Sequence, residues 1–168
     1  MHKLTRILRH RWLDEHDARR ALGEAALARI EARVRDSEQH HSGEIRVCVE
    51  AGLPLSYLWR GATARERAVT LFGKLRVWDT AHNNGVLIYL LLAEHKIEIV
   101  ADRGLNHRVD DAGWQGILAG MAAAFRASDY ESGLAAAIDA VDGLLSQHFA
   151  RERGAADPNE LPDRPDLR

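Results

Sequence analysis

The chain has 168 residues, 46% of them hydrophobic and 29% charged, with a net charge of −2 at neutral pH. That length fits one domain with tails, and a chain of this size buries roughly 70% of its unfolded surface without disulfide staples. The balance excludes a disordered chain and gives no global case for nucleic acid, whose binders carry a basic excess.

No apolar run reaches the roughly 18–20 residues of a membrane span, the longest being Val86 to Ala93. Arg6, Arg9 and Arg11 interrupt any signal-peptide core at the N-terminus. The single Cys48 cannot form an internal disulfide and is expected to pack as a small apolar side chain. A cytoplasmic protein without a transmembrane segment is the expectation.

Residues 1–13 form a basic segment: Lys3, Arg6, Arg9 and Arg11 occur with no acid, and Leu4, Ile7, Leu8 and Trp12 fall at helical spacing. Such a helix lies on an anionic membrane or a partner, or packs its apolar stripe on the domain. From Asp14 or Asp17 to about Gln39 the row Leu22, Ala26 and Ile30, flanked by Leu27 and Val34, predicts one helix. Ser42-Gly43 breaks it, and Glu44 to Glu50 alternates with strand period. Gly52 to Gly61 reads as a loop or a short strand plus turn, with Tyr57 to Trp59 as an exposed aromatic patch suited to a protein partner. Thr63 and Glu66 spell a capping box that opens a helix to about Arg76.

Asn83-Asn84-Gly85 then opens the apolar run 85–92, and only Ala93-Glu94-His95 separates it from a β-branched run over 96–102. A connection that short joins only antiparallel neighbours. Asp110 or Asp111 caps a helix carrying Trp114, Ile117, Leu118, Met121 and Phe125, and Glu131 to about Ala150 is the last helix. Pro158, Pro162 and Pro165 lie among charges, so 151–168 reads as a disordered tail behind a domain at 14–150. The order of elements gives an α/β protein, a three-layer α/β/α sandwich on a small mixed β-sheet.

In that topology Glu44, Asn84 and Asp102 share one end of the sheet, Asp79 lies in the loop leading to it, and Asp110 and Asp111 follow the loop leaving it. Carboxylate and amide oxygens without thiols are hard ligands, suited to Ca²⁺ or Mg²⁺. The same residues have structural readings: Asp110 and Asp111 as helix caps, Asp102 paired with Arg103 or Arg108, and Asn83 and Asn84 as turn formers. His40 and His41 are expected to point apart at a solvated helix end, and His82 is the one histidine placed to act as acid or base. No nucleophile or nucleotide-loop motif is present.

Gly43-Glu44-Ile45 entering a strand, then Asn84-Gly85-Val86-Leu87-Ile88, Gly104-Leu105, Asp111-Ala112, Phe125-Arg126-Ala127-Ser128-Asp129-Tyr130 and Gly133-Leu134 follow one another in an order that resembles the TPM domain family over about residues 14–150. The chain looks like the short bacterial form. The resemblance implies a Rossmann-like sandwich and a spread of functions: acid phosphatases in plant thylakoids, calcium binders, and auxiliary subunits of membrane proteins. Two positions depart from the family pattern, Asp102-Arg103-Gly104 in place of Gly-aromatic-Gly and Ala123 in place of a proline. Combined with the residues, it implies a TPM-type domain with an acidic end that binds a divalent cation, with slow phosphomonoester hydrolysis as the activity. The alternative is a non-catalytic interaction module or auxiliary factor of a membrane protein, working through residues 2–12 or the 53–61 loop.

Overall fold

A computed structural model describes residues 3–151 and 159–168, apart from the side chains of Lys3, Asp111, Ala122 and Ala123. In chain order the elements are α1 (Lys3–Arg11), α2 (Glu15–Leu22), α3 (Glu24–Ser37), β1 (Ile45–Glu50), α4 (Leu55–Trp59), α5 (Ala64–Lys74), β2 (Val86–Leu91), β3 (Lys96–Ala101), α6 (Arg103–Asn106), α7 (Asp111–Arg126), α8 (Tyr130–His148) and β4 (Asp166–Leu167).

The sheet runs β3-β2-β1-β4. β2 and β3 form the expected antiparallel hairpin, from Val86 opposite Ala101 to Leu91 opposite Lys96. β1 lies parallel to β2, with Ile45 opposite Val86, as a crossover through α5 requires. One face of the sheet presents Ile45, Val47, Val49, Val86, Ile88 and Leu90 to α2, α3, α7 and α8. The other presents Cys48, Leu87, Tyr89 and Leu91 to α4 and α5. Both central strands are buried along their whole length, which is why β2 reads as an unbroken apolar run instead of an alternating one. This is the three-layer sandwich with a mixed sheet.

Four features differ from the sequence expectation. The helix expected from Asp14 to Gln39 is two helices, because Gly23 adopts φ 79° and ends α2. Asp14 caps α2 through a full capping box with Asp17. Gly52 to Gly61 contains the short helix α4 rather than a strand.

The tail, expected to be disordered over 151–168, is ordered from 159 to 168, and 152–158 lie outside the described residues. Its β4 pairs parallel with β1, Cys48 opposite Asp166 and Val49 opposite Leu167. Arg46 donates to the carbonyls of Pro162 (2.7 Å) and Arg164. Proline and charge argue against autonomous structure in such a segment, but partners more than a hundred residues away supply its hydrogen bonds.

α1 follows the packing expectation only at Ile7, which packs on the core; the rest of its apolar stripe is turned outward and Arg6 and His10 are turned inward. His10 is buried: its Nδ1 accepts the Leu53 N–H at 2.9 Å, and its Nε2 lies 3.2 Å from the Glu94 carboxylate. Arg6 donates to Glu94 (2.7 Å) and to the Ala62 carbonyl (2.7 Å). The stripe of Leu4, Leu8 and Trp12 faces outward, 73%, 58% and 79% exposed.

Candidate functional site

The amino end of β1 and β2 gathers three chain segments. The Val86 N–H donates to the Glu44 carbonyl, the Asp102 N–H to the Gly85 carbonyl, and the Gly104 N–H to the Asn83 carbonyl, each at 2.8–2.9 Å. Glu44, Asn84 and Asp102 therefore do share one sheet end. Strand alternation then divides them. Glu44, Gly85 and Asp102 stand in one row across β1, β2 and β3 by continuation of the observed register, on the α5 face. Asn84, one residue on, leaves on the opposite face with Val86 and Ile88. The end is shared and the face is not.

Glu44 is committed elsewhere. Its two carboxylate oxygens accept the backbone N–H groups of Glu160 (3.0 Å) and Leu161 (3.1 Å), so it clamps the C-terminal segment. Asp79 lies on the surface, paired with Arg76. Asp110 accepts the Gly113 N–H at 2.8 Å and caps the first turn of α7. Asp111 is the first residue of α7, and its side chain is outside the described residues. Among the described residues no group of three or more His, Cys, Asp or Glu is placed to hold a metal ion.

Two oxygens at this end nevertheless lack partners. Asp102 caps α6 through one oxygen, which accepts the Arg103 N–H at 2.7 Å, while its Oδ2 is buried and unpaired. Asn84 donates its amide to the Ser42 carbonyl (3.0 Å) and hydroxyl (3.3 Å) and leaves Oδ1 buried and unpaired. A buried acceptor without a donor is costly, and a carboxylate oxygen more so than an amide. Beside Asp102 in its row sits Gly85, whose missing side chain is replaced by the Val77 carbonyl: a Cβ there would lie 2.0 Å from that oxygen. The α5 face of the sheet end thus carries a bare carboxylate oxygen next to a position roofed by a carbonyl. These are hard oxygen donors of the kind that Ca²⁺ and Mg²⁺ take.

A second polar group resembles a catalytic constellation and is not one. Ser37 Oγ lies 2.9 Å from His41 Nε2, which is 3.4 Å from Asp142. The Gly43 N–H donates to His41 Nδ1 at 3.2 Å, so in the neutral ring Nε2 carries the hydrogen and cannot accept the proton of Ser37. Both Ser37 and His41 are buried, although Ser37 and Asp142 border a cleft of about 450 Å³ between α3 and α8. The expectation of two solvated histidines fails for His41, which turns inward to satisfy this network, and holds for exposed His40.

Sequence reasoning missed the ion pair at the carboxyl end of β1. Arg67 grips Glu50 through Nε and a terminal nitrogen (2.6–3.2 Å), and the Tyr89 hydroxyl donates to Glu50 at 2.6 Å. All three are buried. Burial and the Glu50 charge push the Tyr89 phenol up, which keeps it a donor. Burial opposes the Arg67 charge, but the Glu50 bonds outweigh it and raise its pKa. The signal was available: Arg67 stands on the inner row of α5 with Ala64 and Leu71, and Glu50 ends an apolar strand.

The family profile described as the TPM domain matches residues 16–144. The chain belongs to the TPM domain family. Among solved structures, the TPM fold seen here is similar to the NMR structure of the BA42 protein from the psychrophilic bacterium Bizionia argentinensis. The two share 28% identity and a TM-score of 0.74, over 86% of this chain and 94% of that one. Among curated proteins none matches. Among the described residues of this TPM domain, no helix is long and apolar enough to cross a membrane.

Proposed function

We propose that this TPM domain binds a divalent cation, Ca²⁺ or Mg²⁺, at the amino end of its sheet, with Asp102 as the anchoring carboxylate. The observation that carries this reading is the buried, unpaired Asp102 Oδ2. An ionised oxygen in that position calls for a positive partner. Asp102 and the Val77 carbonyl are the protein donors on that face, with water completing the shell. Glu44, Asp79 and Asp110 have other work, and Asn84 faces the other side.

A cation held there supplies a Lewis acid for a phosphoryl oxygen, which is the chemistry that slow phosphomonoester hydrolysis would need. The cleft beside Glu44 has about 160 Å³ and is lined by Arg35, Glu38, Gly43, Glu44 and Arg151, with neither Asp102 nor Val77 on its wall. The alternative, a non-catalytic interaction module, draws support from the sealing of this end by the C-terminal segment.

The deciding measurement is a Ca²⁺ and Mg²⁺ titration followed by melting temperature and by amide chemical shifts. Millimolar metal should raise the wild-type midpoint, because a ligand that binds only the native state stabilises it. Amides of residues 77–85 and 102–104 should shift, and both effects should vanish in Asp102→Asn while surviving in Asp110→Asn. No response to either metal in the wild type would leave the interaction module as the better account.

A further inference from the structure

Seven large apolar side chains among the described residues are at least half exposed, and five of them sit on or beside two helices that pack together, α1 and α4. They are Leu4, Leu8 and Trp12 along α1, and Leu55 and Trp59 at the two ends of α4. At roughly 100° per residue the α1 stripe spans about 80° of the helix surface, with Arg11 at one border and Arg9 beyond the other. Arg60 follows directly on α4, stacked over the Tyr57 ring at 4.6 Å.

We propose that this face seats the protein on an anionic lipid surface, with α1 still docked to the domain. The docking is what fixes the orientation. His10 and Arg6 hold α1 to Glu94, Leu53 and Ala62, so the helix presents its apolar side outward as a rigid element and pays no ordering entropy on binding. An amphipathic helix with leucine and tryptophan on one side and arginine at the borders is suited to the headgroup boundary. Tryptophan prefers that depth, and arginine reaches phosphate.

Charge selects the occupant. Residues 1–13 contain four Lys and Arg and no Asp or Glu, in a chain whose net charge is −2. A second copy docked on the same face would set Arg9 and Arg11 against their own counterparts with no acid on α1 to pair them, whereas Arg60 has Glu66 at 3.7 Å. A protein partner would bury its contact side chains in pockets, whereas Leu4, Leu8, Trp12, Leu55 and Trp59 remain more than half exposed. An anionic bilayer matches both the sign of the charge and the exposed apolar side chains.

The test is cosedimentation of the full chain with vesicles rich in phosphatidylglycerol, against phosphatidylcholine alone. Wild type should pellet with the anionic vesicles at low salt and stay in solution at high salt or with phosphatidylcholine. Arg9→Gln and Arg11→Gln should each lower the partition coefficient about fivefold. Leu8→Glu should abolish binding, and Leu4→Gln should weaken it at least tenfold, both with wild-type melting temperatures. Val69→Glu and Trp78→Ser, at exposed apolar positions elsewhere, should bind like wild type. The tryptophan blue shift on adding vesicles should fall in Trp12→Phe. Wild type remaining in solution with anionic vesicles, Leu8→Glu binding normally, or a dimer that Leu8→Glu dissociates would each overturn the proposal.

Discussion

Glu44 receives the backbone N–H of Leu161 at 3.1 Å across 117 residues of chain, so a carboxylate just before β1 holds the 159–168 segment in place. The contact is cooperative with its neighbours. Arg46 holds the Pro162 carbonyl, the Arg168 N–H donates to Val49 (3.0 Å), and the Ala51 N–H donates to Arg168 (2.8 Å). Beneath this strap lies Cys48, fully buried and with its thiol pushed up by burial first and by Asp166 second. Glu44→Ala leaves two backbone donors without acceptors and should cost about 2–4 kcal/mol. Glu44→Gln keeps an acceptor oxygen and should cost about 1 kcal/mol. A disulfide-exchange reagent at mildly alkaline pH reads the strap directly: Cys48 should be nearly inert in wild type, and reactive in Glu44→Ala or after removal of residues 159–168. Equal reactivity in all three would show that the tail does not cover the strand.

The ion pair of Glu50 with Arg67 predicts a non-additive cycle. Removing one partner strands the other charge in the core, so Arg67→Met and Glu50→Leu should each cost about 3–5 kcal/mol. The double variant should recover much of that loss, since an apolar pair of similar volume replaces a desolvated one. Tyr89→Phe removes only one hydrogen bond to Glu50 and should cost about 1–2 kcal/mol. Urea unfolding of the four variants checks the cycle. Strictly additive losses would mean that the two side chains do not act as a unit.

The sequence made local order legible and long-range order much less so. The hairpin over 86–101 and the capping box of Thr63 and Glu66 follow from residues within a few positions of each other, and both formed as read. The tail strand depends on Arg46 and Glu44, whose partners 116–118 residues away leave no periodic trace. The orientation of α1 misled for a physical reason: an apolar stripe ordinarily turns inward, but Arg6 and His10 find Glu94 at the end of β2 and turn the helix over. Of the six proposed ligands, topology correctly brought Glu44, Asn84 and Asp102 to one end. Counting strand parity from the expected register would already have parted Asn84 from the other two.

Gly85 predicts a steric failure at the same end. A Cβ at that position would lie 2.0 Å from the Val77 carbonyl oxygen, which is backbone and cannot swing aside. Gly85→Ala should therefore displace the 76–79 turn or the first residue of β2 and cost about 2–3 kcal/mol. Gly116→Ala and Gly143→Ala, on helices with no atom near the new methyl, should instead stabilise slightly, by about 0.5–1 kcal/mol, because alanine restricts the unfolded chain and favours helix. Thermal unfolding of the three variants reports the contrast. A neutral Gly85→Ala would mean the Val77 turn is loose, and the carbonyl would lose its place in the proposed cation shell.

The anchor of α1 predicts a specific pH dependence. Glu94 is held well below the usual carboxylate range, first by its hydrogen bond with His10 and then by Arg6 and Lys96, against the opposing effect of burial. Its folded pKa is thus lower than its unfolded value near 4.5, so the unfolded chain binds more protons as the pH falls. The stability that Glu94 contributes is present in full above the unfolded value and is lost progressively as the pH drops below it toward the folded one. Glu94→Gln keeps the shape and an acceptor while removing the charge. At pH 7 the variant should be less stable than wild type by about 1–2 kcal/mol, and the gap should narrow progressively as the pH falls below about 4.5, because the unfolded chain takes up a proton there while folded Glu94 stays ionised and keeps its bonds to well below that value. Urea unfolding across that range measures the gap at each pH. A difference that stays constant would mean that Glu94 acts only through packing, and that its charge does not hold α1.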